Sequence, residues 1–126
     1  MLGTPPADFR PVSPEEYARW SVDQRERYRL AVESYLYEVI DALAPRLREF
    51  DRETAREYVG FGEYGVAVHH LLYGLSDAEV PLRDAERVEL RALALAMHDQ
   101  ESADSLSSCP VLAPDDPQGA DDRASG

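Results

Sequence analysis

Lysine is missing from this chain, and all 13 of its cationic side chains are arginine. Cysteine is nearly missing as well. The one thiol, Cys109, cannot form an internal disulfide, so the sequence suits a reducing compartment and cytoplasmic residence is the expectation. No window approaches the roughly 18 consecutive apolar residues of a membrane span. The segment Met1 to Arg10 lacks the cationic start and apolar run of a signal peptide. Enzyme signatures are absent too: there is no HExxH, no paired CxxC, no GxSxG, no Walker loop and no GxGxxG after a strand. Gly60-Phe61-Gly62 is only GxG between helical segments, where a helix-closing turn accounts for it. No stretch alternates apolar and polar residues for long enough to make a strand.

What is present in excess is negative charge. The formal net charge is −12 at pH 7, on 126 residues that suit one domain with a modest core. Residues 1–100 carry 19 acidic and 12 basic side chains, and residues 101–126 carry 6 and 1. This balance repels phosphate backbones, which argues against direct nucleic-acid binding. It speeds association with a basic protein, such as a nuclease domain with a positive cleft. Solubility alone is the competing reason for such acidity.

The apolar pattern predicts an all-α fold of about four main helices. Residues 1–12, with Pro5, Pro6 and Pro11, read as an extended arm. Ser13-Pro14-Glu15-Glu16 supplies a cap, a proline at the first helical position and a glutamate three residues after the cap, so a short helix runs to about Trp20. Ser21-Val22-Asp23-Gln24 repeats the signal and opens a long helix. In it Tyr28, Val32, Tyr35, Leu36, Val39, Ile40 and Leu43 share one face of a 3.6-residue period. Pro45 ends or kinks that helix. Asp51 is read as the cap of a shorter helix through Ala55, Tyr58 and Val59. A third helix starts near Glu63, with Tyr64, Ala67, Val68, Leu71, Leu72 and Leu75 as its apolar face. Gly65 and Gly74 each cost it about 1 kcal/mol against alanine, offset by a close neighbouring helix or by fraying. After a connector, Ser76 to Leu82, the last helix is expected from about Arg83 to Gln100, with Val88, Leu90, Leu93, Ala94, Leu95 and Met97 apolar. The helical domain is thus 13–100. Residues 101–126 lose aromatics and read as a disordered acidic tail.

Few side chains invite chemistry. His69 and His70 are adjacent, so on a helix they point about 100° apart and cannot grip one ion together. Convergence of either with His98 and Glu63 would require the tertiary fold. Cys109 falls in the expected tail without a cationic sequence neighbour to activate it. No catalytic residue, cofactor or metal is therefore expected. The seven tyrosines are more telling. Tyr64 and Tyr73 lie near Glu63, Asp77 and Glu79, and aromatic anchors ringed by carboxylates suit a hot spot against a basic cleft. Half-buried tyrosines with solvated hydroxyls would carry the same pattern.

The order of residues from Gly62 to Leu82 adds a further expectation. Gly62-Glu63 stands at a helix start, followed by Val66-Ala67, Leu71, Leu75, the acids Asp77 and Glu79, and Val80-Pro81-Leu82. This segment resembles the MafI-like immunity proteins, small helical antidotes encoded beside bacterial polymorphic toxins, and Glu86, Leu90, Leu93 and Met97 continue the likeness. One departure is His69, where that family commonly carries an acid. The N-terminal arm and the tail lie outside the pattern. The resemblance implies an immunity protein that binds a cognate toxin and neutralises it by covering its active site or an adjacent surface. The expected contact set is Glu63, Tyr64, Tyr73, Asp77, Glu79 and Asp84, although Glu63 can equally serve its helix end. The partner would be a toxin with a basic surface, bound by a monomer or weak homodimer, with neither nucleic acid nor membrane involved. An acidic adaptor or regulatory protein for another basic partner is the alternative.

Overall fold

The structure is a computed structural model that describes residues 1–113. These residues are mostly helical and form no strands, so the expected all-α class holds. The helices are α1 (Pro14–Arg19), α2 (Val22–Leu43), α3 (Glu49–Gly60), α4 (Tyr64–Asp77), α5 (Asp84–Ala96) and α6 (Gln100–Ser105). Short 3-10 turns follow α2 at Ala44–Arg46 and α6 at Leu106–Ser108.

Local chemistry sets most of the boundaries. Ser13 Oγ accepts the Glu16 amide and caps α1, while the Glu16 carboxylate turns outward to Arg10. At α2 the capping box is reciprocal: Ser21 Oγ accepts from the Gln24 amide at 3.1 Å, and the Gln24 side chain accepts from the Ser21 amide at 2.8 Å. Pro45 stops α2 at Leu43 and sits within the 3-10 turn. Of the seven apolar residues spaced along α2, all are buried except Tyr28, which is half-buried.

Helix α4 lies at the centre, packed against α2, α3, α5 and α6. Its buried residues are Ala67, Val68, Leu71, Leu72, Gly74 and Leu75. A Cβ on Gly74 would come within 2.7 Å of Asp51 Cγ on α3, so the close-neighbour reading of that glycine is right. Gly65, by contrast, has open space around it. The α3–α4 turn closes through Gly62 at φ +77°, with the Gly62 amide bonded to Val59 O and the Glu63 amide to Tyr58 O. That pair of bonds is the Schellman ending, which needs a left-handed residue.

Several expectations fail. Asp51 does not cap α3, which starts at Glu49 behind Arg48; its carboxylate is instead buried and takes Arg48 Nε at 2.6 Å. The connector is shorter than expected, because α4 runs through Asp77. Val88 lies on the exposed side of α5. The last helix is not continuous to Gln100: α5 ends in a left-handed residue, His98 at φ +59°, and the chain turns into α6.

The tail expectation fails for residues 101–113. Ala103, Leu106, Cys109 and Leu112 recur every third residue and are all buried against the core. A short parallel bridge fixes the end of this segment, with Leu82 N–H to Pro110 O at 2.9 Å and Leu112 N–H to Leu82 O at 2.8 Å. Arg87 on α5 donates to the carbonyls of Leu106 and Cys109. The expectation of disorder for residues 114–126 lies outside the described residues. The N-terminal arm carries no helix, yet it packs: Leu2 is buried, and its amide reaches Glu89, whose other oxygen accepts the Tyr35 hydroxyl.

A shielded ion pair locks the connector. Arg46 donates to both oxygens of Glu86 at 3.0 and 2.7 Å and to Pro81 O at 3.1 Å, and Glu86 also accepts the Arg83 amide. Burial pushes the Glu86 carboxyl up, but Arg46 and the Arg83 amide outweigh it and hold the group below its ordinary value.

Three outcomes follow for stability. Gly74→Ala should destabilise the fold by about 1–3 kcal/mol in urea titrations, because overpacking on Asp51 exceeds the gain in helix propensity. Gly65→Ala should instead stabilise it by about 0.5–1 kcal/mol. A carboxyl held low in the folded state contributes stability above its unfolded value and loses it as pH falls through the folded one. Acid titration should therefore show a Glu86 contribution lost below about pH 4.5, and Glu86→Gln should flatten that limb while costing about 2–3 kcal/mol at neutral pH.

Candidate functional site

The exit of α4 departs from the residue preferences of its own geometry. The Glu79 amide bonds to Ser76 O and the Val80 amide to Leu75 O, the same two-bond ending as at Gly62. The left-handed position is filled here by Glu79, at φ +50°. A non-glycine residue in that region costs about 1–2 kcal/mol. His98 holds the equivalent position after α5, and its Nε2 meets Val12 O at 2.9 Å, tying down the N-terminal arm. Glu79 is exposed, and its carboxylate makes no hydrogen bond or ion pair among the described residues.

Beside Glu79 runs the solvent face of the α3–α4 pair. Phe50, Glu53, Glu57 and Phe61 fall within about 80° on the α3 wheel, opposite buried Ala55. Phe50 is 75% exposed and Phe61 72% exposed, with Glu53 and Glu57 exposed between them. On α4, Val66, Tyr73 and Asp77 form the matching stripe, and Tyr73 is 58% exposed. The helices are antiparallel: Arg48 Nη1 reaches Asp77 at 3.1 Å, and Tyr58 stacks on His70 at 5.0 Å. Phe50 and Tyr73 each lie one residue before the Asp51–Gly74 crossing point, which turns both to the same side of the pair.

The six expected contact residues do not form one patch. Tyr73, Asp77 and Glu79 gather at the C-terminal end of α4, and exposed Asp84 opens α5 just past the connector. Glu63 and Tyr64 sit at the other end of α4, about 20 Å away along its axis. Glu63 is exposed and its side chain caps nothing. Tyr64 is half-buried, with its hydroxyl held by Arg29 Nη1 at 3.0 Å. Asp77 is not in a loop but is the last residue of α4, paired with Arg48. Sequence reading missed Phe50, Glu53, Glu57 and Phe61. Their offsets of 0, 3, 7 and 11 were legible, but an aromatic at helical spacing reads as core until its neighbours show which face is covered.

Near Tyr64 a groove of about 730 Å³ opens between α1, α2, α4 and the α5 end. Its charged and histidine lining is already engaged: Arg29 bonds Glu26 and Tyr64, and His98 bonds Val12 O. On the far side of α4, His69 Nδ1 lies 3.1 Å from Asp99 Oδ2 and 2.9 Å from Ser102 Oγ. Both oxygens meet the same ring nitrogen, whereas a catalytic triad needs acid and nucleophile on opposite nitrogens. Asp99 also caps α6 through the Ser102 amide. Burial pushes the Asp99 carboxyl up, but the Ser102 and His69 contacts hold it below the ordinary carboxylate range. His70 and His98 do not join this cluster, so the convergence with Glu63 considered above does not form. Cys109 is buried rather than in a loose tail; burial raises its thiol pKa despite nearby Arg87. No helix among the described residues is long and apolar enough to cross a membrane.

Comparisons with protein-family models, with curated proteins and with solved structures give no match for this chain.

The strain at residue 79 has a measurable sign. Glu79→Gly should raise the unfolding free energy by about 1 kcal/mol in denaturant titrations, since glycine adopts the left-handed conformation without a Cβ conflict. An unchanged or lowered midpoint would mean that the glutamate stabilises the turn by some other contact.

Proposed function

We propose that this chain is an immunity-type binding protein that holds a cognate toxin with a basic surface and neutralises it by covering its active site or an adjacent surface. The observation that supports this reading is the α3–α4 face, where exposed Phe50, Phe61 and Tyr73 stand among the carboxylates of Glu53, Glu57, Asp77 and Glu79. Large exposed aromatics give a partner apolar area to bury, and they are the residue types that dominate hot spots. The surrounding acids repel other acidic proteins and steer a cationic one. Glu79 strengthens the reading, because a side chain kept in a costly backbone conformation with no internal partner is more useful outside the fold than within it.

The docking centre lies at the Tyr73–Asp77–Glu79 end, with Asp84 at its margin. Glu63 and Tyr64 belong to its distant end or to the fold alone. The mechanism is occlusion: it requires tight holding and no bond-making, in keeping with the absence of any sequence signature for turnover. The resemblance of Gly62–Leu82 to MafI-like immunity proteins supplies the biological setting, a toxin made by the same cell or its kin.

Co-expression with the product of the adjacent gene tests the reading, scored by rescue of growth and by co-purification. Phe50→Ala combined with Tyr73→Ala should weaken the complex by about 2–4 kcal/mol, while circular dichroism stays that of the native fold. Asp77→Asn with Glu79→Gln should lower the association rate and flatten its dependence on salt. Rescue that is indifferent to all four substitutions would move the interface elsewhere. Capture of a basic non-toxin protein, with no rescue, would favour an acidic adaptor.

A further inference from the structure

The cluster on the opposite edge of α4 invites a reading independent of the docking face. His69 from the middle of α4, Asp99 at the cap of α6 and Glu101 in the first turn of α6 each present one ligand atom, and these atoms lie within 4.8 Å of one another. We infer that His69, Asp99 and Glu101 form a binding site for one divalent transition-metal ion, with zinc as the best-matched ion.

Geometry and chemistry both favour this. Two donors bound to tetrahedral zinc at about 2.0–2.1 Å sit about 3.3 Å from each other. The 3.1 Å between His69 Nδ1 and Asp99 Oδ2 is close to that edge, so an ion enters with small side-chain movement. Asp99 is held in place by Ser102, as a metal-ligating carboxylate requires, and the Ser102 hydroxyl, 2.9 Å from His69 Nδ1, turns aside as the ion enters. The Ser102 amide donates to Oδ1 at 3.0 Å and the Ser102 hydroxyl to Oδ2 at 2.6 Å, and Ser102 itself is buried. His69 rides on a rigid support, being followed within α4 by buried Leu71 and Leu72 and preceded by buried Val68. Glu101 is exposed and can swing onto the ion, leaving a fourth position for water.

The donor set selects the ion. One imidazole nitrogen with two carboxylate oxygens suits a borderline ion such as zinc. Calcium needs six to eight oxygens and magnesium a near-ideal octahedron, and neither is offered here. Two carboxylates beside a neutral imidazole balance the ionic charge, and the net charge of −12 raises the local cation concentration. The other histidines are engaged elsewhere, His70 on Tyr58 and His98 on Val12 O. A bound ion would add to the His69–Asp99 contact that already ties α4 to the corner between α5 and α6, beside the left-handed His98.

Calorimetric titration of the untagged, chelator-treated full chain with zinc chloride tests the inference. One ion per chain is expected. His69→Ala and Glu101→Gln should each weaken binding at least tenfold, and Ser102→Ala should weaken it about tenfold through the lost support of Asp99. His70→Ala should bind like the parent chain. Zinc should raise the melting midpoint of the parent chain and leave that of His69→Ala unmoved. No heat up to millimolar zinc, or binding by the His69→Ala chain as tight as that of the parent, overturns the site.

Discussion

The approach of α3 to α4 at Gly74 is the constraint on which the rest of the molecule depends. A helix touched by four others must present a small residue somewhere, and α4 presents Gly74 at the position where Asp51 lies 2.7 Å from a notional Cβ. Asp51 in turn needs Arg48, since a carboxylate buried without a cation would be costly. Arg48 then reaches Asp77, the last residue of α4, and fixes the relative register of the two helices. That register puts Phe50 beside Tyr73 on the outer face and leaves the inner faces free to cover the leucines. The surface offered to solvent is therefore a by-product of how tightly the centre closes.

Much of the helical pattern was legible because it rests on local rules. The caps at Ser13 and Ser21, the stop at Pro45, the core stripe of α2 and the glycine turn at Gly62 each follow from one residue's own stereochemistry or from a short repeat. The failures share a different cause. Asp51 was read as a cap because acids are good caps, and only the tertiary partner Arg48 shows that it works from inside the first turn. The corner at His98 went unseen because neither glycine nor proline marks it. The tail from residue 101 reads as disordered because its composition is polar, although Ala103, Leu106, Cys109 and Leu112 recur every third position and are all buried. Composition averages over a segment, whereas burial depends on a few well-placed side chains.

The candidate site was legible in kind and only partly in place. Aromatics among acids are legible at Tyr73, Asp77 and Glu79, yet nothing in the residue order tells that Glu63 and Tyr64 stand a helix-length away. Nor could it show that the exposed side of α3 carries Phe50 and Phe61, since exposure is a property of what fails to cover a residue. The His69 cluster was out of reach for a similar reason: its members are separated by 30 residues and meet only because α6 folds back on α4.

The parallel bridge between Leu82 and Val111 makes the segment after α6 a strap across the exit of α4, fastened through two backbone bonds and the buried sulfur of Cys109. Because the only thiol of the chain sits in that strap and is buried against the core, its accessibility to an alkylating reagent reads how often the strap lifts. The molecule thus carries a built-in clock for its own local opening, located next to Glu79 and away from the crossing that holds the centre shut.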